Sequence, residues 1–590
     1  MQTVPKRLPG LILLLFTFFI AFDSVSVLAA SPPPAVGLHS MIVTAQHEAT
    51  DVGLEILNSG GNAIDAAVAV GYALAVTFPA AGNLGGGGFM TVHLANGNDT
   101  FINFREKAPL LATRDMYLDK SGNVVPGLST SGYLAVAIPG TPAGLEYALR
   151  KYGTLPAVRV IAPALRLASE GFILQQGDVD LLSSVTEQFR QQANVAQTFL
   201  KYGQPYRVGE RLKQPDLAQT LTRLILFGSD GFYRGSIADR IVAASHANGG
   251  ILQKEDFFLY NVEEQDPVRA HYRGFDVISA PPPSSGGSVL AEILNILSGY
   301  PMGDYGFHSA KSIHFMVEAM RHSYLDRTAL GDPDFVQNRL DSILSDAHAA
   351  EIRASIDPNH AKPSAELKSG QAPHEGNETT HYSVVDRLGN AVSVTYTINS
   401  YFGALRIAGD TGFFLNNEMD DFTSKPGTPN QYGLIQGDEN SIAPGKRPLS
   451  SMSPTILLKN RKPFLVTGSR GGSRIITITL QSIMNVIDYN MDIQSAVDAP
   501  RIHHQWQPDT IEIEPYAISA DTESVLRQMG YAILVQAPWG SAQSIEIPAA
   551  DIKTGPATIG DPGASEPLLK KDLRYGGWDH RSSSGSAKGQ

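Results

Sequence analysis

The stretch 362–397 changes character abruptly at one residue. From Lys362 to Glu378 the chain is polar, with Pro, Ser, Gly and Asn and little to bury, so that segment is expected to be exposed or mobile. From Thr379 onward it reads as a strand pair: Thr379 to Val385, a turn around Arg387, Leu388 and Gly389, then Ala391 to Thr397. A turn centred on Leu388 makes equidistant residues antiparallel partners, which pairs Val385 with Ala391, Ser383 with Ser393 and Thr379 with Thr397. Directly opposed residues have Cβ atoms about 4.5–5.5 Å apart, so two threonine hydroxyls come within reach of one another where the polar segment meets the sheet. Thr facing Thr is also an ordinary sheet pairing, and the pairing alone assigns no chemistry.

Around this junction lies a large mixed chain. Hydrophobic residues make up 43% of the 590 and show no composition break, which fits one large or two intimately packed lobes. Thr50 or Asp51 is placed to cap a short helix ending at Gly60 and Gly61; Ala63 to Val76, apolar nearly all round, reads as a core helix. Gly85 to Gly88 then forces a turn. Residues 140–375 alternate helix-like stretches such as Ile313 to Leu330 with Pro-rich breaks, and no repeat of fixed period is present. Phe413 to Leu415 reads as a further strand, Pro426 to Pro444 as a long functional loop with Tyr432 its one aromatic, and 581–590 as a disordered tail.

The function classes narrow by elimination. A net charge of −12 without basic runs repels a phosphate backbone, which argues against nucleic acid. With no cysteine, disulfides, thiolate metal sites and a Cys nucleophile are excluded. Lys6 and Arg7, the apolar run Leu11 to Phe22 and the small-residue ending at Ala29 and Ala30 have the layout of a cleaved export signal; the alternative, an uncleaved anchor, needs a longer apolar run. His503 and His504 are neighbours on a strand and point to opposite faces, so they read as structural, and His47 with Glu48 lacks the second His of a zinc helix.

Several blocks in fixed order resemble the γ-glutamyltranspeptidase family over nearly the whole mature chain. They are Gly60-Gly61-Asn62-Ala63, Asn83 to Phe89, Phe104-Arg105-Glu106, Pro282-Pro283-Ser284-Ser285-Gly286-Gly287, Thr379-Thr380-His381-Tyr382-Ser383, Asn416 to Phe422, Arg447 to Thr455 and Gly468 to Arg474. The resemblance implies an α+β fold of the N-terminal-nucleophile type, a four-layer αββα sandwich made as one precursor and cut into intertwined large and small subunits. On that reading 1–29 is a signal peptide, 30–378 the large subunit and 379–590 the small one, with cleavage between Glu378 and Thr379 and a periplasmic or secreted destination.

The same resemblance implies the residue roles. Thr379 is the nucleophile, activated by its own α-amine after cleavage, because a neutral hydroxyl needs an adjacent base. Thr397 orients it, and the backbone N–H groups of Gly471 and Gly472 receive the oxyanion, where lack of Cβ permits close approach. The Walker spacing with its Lys is absent from Gly468 to Arg474, so a phosphate loop is a poor rival. Arg105 clamps the donor α-carboxylate with Ser450 and Ser451; Asn399, Glu418 and Asp421 hold the α-ammonium. A calcium loop at Glu418 to Asp421 lacks the spaced oxygens and Gly of an EF loop. Glu418 stands where other bacterial members carry Gln, and acidic Asp421 favours a γ-glutamyl over a glutaryl side chain. The 426–444 loop resembles a lid with Tyr432 as gate.

The implied reaction moves γ-glutamyl groups from glutathione-like donors to amino acids, peptides or water through a γ-glutamyl–Thr ester, with no cofactor and no metal. The alternatives are a cephalosporin or glutaryl acylase, a poly-γ-glutamate-processing relative, or a non-enzymatic periplasmic binder of glutamyl peptides.

Overall fold

The computed structural model describes residues 31–367, 379–431, 434–548 and 573–590. The export segment, Glu378 and Tyr432 lie outside the described residues. Two antiparallel sheets face each other. One runs in the order Ser586–Gly589, Met41–Thr44, Thr380–Val385, Ala391–Thr397, Gly87–His93, Asp99–Phe104 and Glu263–Gln265. The other runs Ala35–Gly37, Arg574–Trp578, Ser541–Glu546, Lys462–Thr467, Thr455–Lys459, Phe275–Ser279 and Val268–Tyr272, with the short strand Ser469–Arg470 alongside Ser541–Glu546.

Strand alternation sorts the side chains into layers. Tyr382, Val384, Val392, Val394 and Tyr396 pack under helices that include Ala63–Thr77 and Ala157–Glu170. On the far side Val277, Leu457 and Leu465 pack under Gly286–Leu297, Ala310–Asp326 and Ile475–Ile487. Met41, Val43, Val385 and Ala391 meet Ile278, Ile456 and Val466 between the sheets. The result is the expected αββα sandwich, with helices outside and two sheets inside.

The inter-sheet face turns polar toward one end. His381 Nδ1 lies 2.8 Å from Thr395 Oγ1, Ser383 Oγ donates to the Gln543 carbonyl at 2.8 Å, and Ser393 Oγ donates to the Thr467 carbonyl at 3.0 Å. Polar groups taken out of water must find partners, so the two serine bonds, which cross between the sheets, fix how the sheets sit on one another. Burial pushes the His381 imidazole down to about 3, which keeps it neutral.

The helix Ala63–Thr77 starts as its sequence dictates. Asn62 caps it, and Asp65 bonds back to the Asn62 N–H in a capping box. The preceding helix starts earlier than expected, at His47, because Gln46 supplies the cap instead of Thr50 or Asp51. Phe413 to Leu415 forms isolated bridges, Ile407 with Phe414 and Gly85 with Leu415, and not a strand. At 362–367 the expected exposed or mobile segment is in part exposed, at Pro363, Ala365 and Glu366, but it is not without structure. Ser364–Leu367 is a short helix there, and Ser364 is buried with its carbonyl accepting from Trp506 Nε1.

The expected disordered tail 581–590 is ordered. Ser586–Gly589 pairs antiparallel with Met41–Thr44, and Arg581 bonds Asp579 and Glu514. Edge pairing uses backbone groups and needs little apolar content, so composition misleads there. Among the described residues no helix is long and apolar enough to cross a membrane.

Candidate active site

The pair Thr380–Val385 and Ala391–Thr397 has the register derived from the turn: Val385 faces Ala391, Ser383 faces Ser393 and Thr380 faces Tyr396. Asp386 builds the turn by accepting from the Leu388 and Asn390 N–H groups, and Gly389 takes φ +92°. Extending the register by one residue sets Thr379 against Thr397. Their hydroxyls lie 3.4 Å apart, and both residues are almost fully buried. Thr397 Oγ1 also accepts the Asn399 N–H at 2.8 Å, while Asn399 itself adopts φ +70° and donates from Nδ2 to the Asn417 carbonyl.

These residues line one cleft, with polar and charged side chains making up much of its wall. Arg105, Glu418, Asp421, Ser450, Ser451 and Gly472 reach the same cleft from four other parts of the chain. Gly471 precedes Gly472, and both have positive φ, +141° and +57°. At +141° a side chain is strained whatever the space, which makes the loop before Ile475–Ile487 dependent on glycine.

Arg105 is fully buried, and its guanidinium donates to Glu418 Oε1, to Asp421 Oδ2 at 2.5 Å and to Glu106 Oε2 at 3.4 Å. Its Nε donates to the Pro448 carbonyl. Three carboxylates thus surround one fork. Burial first, and then mutual repulsion, push Glu418 well above the usual carboxylate range and Glu106 to about 7, against the pull of Arg105. Asp420 is turned away onto Ser129, and burial pushes it to about 6.

Ser450 and Ser451 sit beside the cis-proline segment. The Ser450 N–H donates to the Pro283 carbonyl, and its own carbonyl accepts from the Ser285 hydroxyl. Opposite them stands a residue that sequence reasoning missed. Arg327 is buried against the cleft, donating from Nε to Ser285 Oγ at 2.9 Å and from Nη2 to Ser451 Oγ at 3.3 Å. Among the described residues it forms no ion pair, and burial lowers it to about 10. In the sequence it is one of several charges near a helix end, and no spacing sets it apart. The loop 426–444 reaches the cleft through Leu434 and Gln436, and Gln436 donates to the Asp421 carbonyl.

The histidine pair is structural, as expected. His503 bonds Thr477 and Gln505, and His504 bonds Asp509.

The arrangement offers a buried hydroxyl with a second hydroxyl to orient it, glycine backbone beside it, and cations and carboxylates together a short way off. A family model described as gamma-glutamyltranspeptidase matches residues 49–564. A glutathione hydrolase proenzyme of Pseudomonas sp. (strain A14) is 54% identical, the alignment covering 96% of each chain. That of Escherichia coli (strain K12) is 48% identical over 92% of this chain and 93% of its own. Among solved structures, a cephalosporin acylase from Bacillus halodurans superposes with a TM-score of 0.81 at 27% identity, covering 97% of this chain and 99% of that one. With the model matching most of its length and two relatives near half identity, the chain belongs to the gamma-glutamyltranspeptidase family.

Proposed function

We propose that this chain is a self-processing γ-glutamyltransferase and glutathione hydrolase whose nucleophile is Thr379. The observation carrying this reading is the Thr379–Thr397 hydroxyl pair in one cleft with Arg105, Glu418 and Asp421. A γ-glutamyl donor presents an α-carboxylate and an α-ammonium at one end, and the cleft holds both charge types.

In the precursor, Thr379 Oγ attacks the Glu378 carbonyl carbon. The peptide C–N bond breaks as the leaving amine takes up the Oγ proton, and water then hydrolyses the resulting ester. The product is a Glu378 carboxylate and a Thr379 with a free α-amine, whose unperturbed pKa of about 7.7–8.0 suits it as a base near neutrality. In turnover that amine takes the Oγ proton while Oγ attacks the γ-amide carbon. The Gly471 and Gly472 N–H groups face the oxyanion, and collapse expels the donor's amine with the proton returned. Water or an acceptor amine resolves the γ-glutamyl ester by the reverse steps.

Arg105 with Ser450 and Ser451 engages the α-carboxylate; Asn399, Glu418 and Asp421 engage the ammonium. A donor competes with the internal Arg105 pairs, exchanging one set of charge contacts for another. Tyr432 and the loop 426–444 close over the bound donor. The segment 1–29 directs export to the periplasm or beyond, and 30–378 and 379–590 are the two subunits.

Denaturing electrophoresis and mass spectrometry of the purified protein test the reading. Two chains are expected, the smaller beginning at Thr379, with Thr379→Ser processed slowly and Thr379→Ala not at all. A normally processed Ala variant would refute it. The likeness to a cephalosporin acylase favours cephalosporin side-chain hydrolysis as a second reading; far faster cleavage of a cephalosporin side chain than of a γ-glutamyl anilide would establish it.

A further inference from the structure

Behind the wall of the cleft, three helices bring two carboxylates and an imidazole together. Glu292 lies on Gly286–Leu297, Asp326 ends Ala310–Asp326, and His348 is in the first turn of Asp346–Ser355. His348 Nε2 is 2.8 Å from Asp326 Oδ2 and 3.5 Å from Glu292 Oε1, and one ligand atom from each residue lies within 4.8 Å of the others. Glu292 is fully buried, and apart from the 3.5 Å contact of Oε1 with His348 its carboxylate oxygens meet no group in hydrogen-bond geometry. A carboxylate taken wholly out of water persists either by holding a proton or by holding a cation. The other two side chains are about a quarter exposed, 29% for Asp326 and 26% for His348. Solvent therefore reaches the cluster from one side while Glu292 forms its floor.

We propose that Glu292, Asp326 and His348 bind one divalent transition-metal ion of the zinc or manganese class. One imidazole nitrogen with two carboxylates suits those ions better than calcium or magnesium, which prefer oxygen donors alone. Ligands about 2.0–2.2 Å from a tetrahedral ion stand roughly 3.3 Å from one another, and the separations of 2.8 and 3.5 Å bracket that spacing. Coordination replaces the proton that His348 shares with the carboxylates, and the open side leaves a position for water. The ion would tie three helices together at the residue before Arg327, which lines the cleft. It is distinct from the threonine chemistry, which needs no metal. The rival is a Glu–His–Asp cluster held by protons alone.

The test uses mature, tag-free protein stripped with chelator and titrated calorimetrically with Zn²⁺ and with Mn²⁺. One equivalent per chain of at least one ion is expected, with a Tm rise of several degrees. Glu292→Gln and His348→Gln are expected to lose that equivalent or weaken it at least tenfold. Glu292→Gln should keep the parental circular dichroism spectrum and chelator Tm, since the amide matches a protonated carboxyl in shape. Cobalt(II) added to the unmutated protein gives a reading independent of folding in the variants: visible bands of an imidazole–carboxylate site that Zn²⁺ displaces. The proposal is overturned if the parent takes up neither ion, if both variants bind as the parent does, or if cobalt gives only the spectrum of the hydrated ion.

Discussion

Thr397→Val isolates the orienting role of the second hydroxyl. Valine keeps the shape and removes an oxygen that accepts the Asn399 N–H at 2.8 Å and the Thr379 hydroxyl at 3.4 Å. Two effects separate. Leaving a buried N–H with its acceptor gone costs about 1–3 kcal/mol of stability, which urea unfolding reads. Loss of the orienting contact lets the Thr379 hydroxyl leave its attack geometry. A misplacement near 1 Å costs about 100-fold in rate, or about 2.7 kcal/mol of transition-state stabilisation. Because the donor's charged end is held elsewhere in the cleft, kcat for a chromogenic γ-glutamyl anilide should fall by that factor, with KM within about twofold. Self-cleavage uses the same hydroxyl, so rates are normalised to the processed fraction on a denaturing gel. Thr397→Ser restores the oxygen and should recover most of kcat. A Val variant with parental kcat per processed molecule would show that the Thr379–Thr397 contact is plain sheet pairing.

Arg105→Lys replaces a fork that reaches Glu418 and Asp421 together with a point charge; donor KM should rise at least about tenfold, and an unchanged KM counts against the clamp. Arg327→Gln removes a buried cation that forms no ion pair among the described residues from beside Ser451. If that cation helps hold the donor carboxylate, KM rises with kcat little changed; equal kinetics would leave Arg327 a packing residue. Glu546 is buried, and burial followed by repulsion from Asp492 raises it to about 7. Between the usual carboxylate value and pH 7 its folded form holds a proton that the unfolded chain has lost, so its contribution weakens stability as pH rises through that window. Glu546→Gln should therefore gain up to about 3 kcal/mol at pH 8 and nothing at pH 4 by urea unfolding; a gain at pH 4 as large as at pH 8 refutes the titration.

What could be read in advance follows from which interactions are local. The register of the Thr380–Val385 hairpin depends on a turn a few residues long, and the core helix 63–77 on its own cap and apolar run, so both were legible. The tail was not, because pairing between Ser586–Gly589 and Met41–Thr44 spans more than five hundred residues and engages backbone groups that composition does not record. Arg105, Glu418 and Asp421 came from motif resemblance, yet nothing in the motifs says that they bond one another. Arg327 and the Glu292–Asp326–His348 cluster depend on how helices cross, which no single stretch encodes.

The sheet order also explains how the proposed backbone break before Thr379 would leave the site intact. In the sheet carrying Thr379, strands from both sides of the junction are neighbours at three places. Met41–Thr44 lies between Ser586–Gly589 and Thr380–Val385, and Ala391–Thr397 is bonded along its length to Gly87–His93. The facing sheet repeats this, with Ala35–Gly37 on Arg574–Trp578 and Phe275–Ser279 on Thr455–Lys459. Separating the two pieces would expose ladder hydrogen bonds and apolar faces in both sheets at once, a cost comparable to unfolding. Cutting one peptide bond removes none of those contacts. It would release a residue whose following strand stays paired with Ala391–Thr397 over Thr380–Val385 and with Met41–Thr44 over Tyr382–Val385. The hydroxyl would therefore keep its position opposite Thr397 while gaining a neighbouring amine, and the rigidity that aims the proposed nucleophile comes from strands belonging to both halves of the chain.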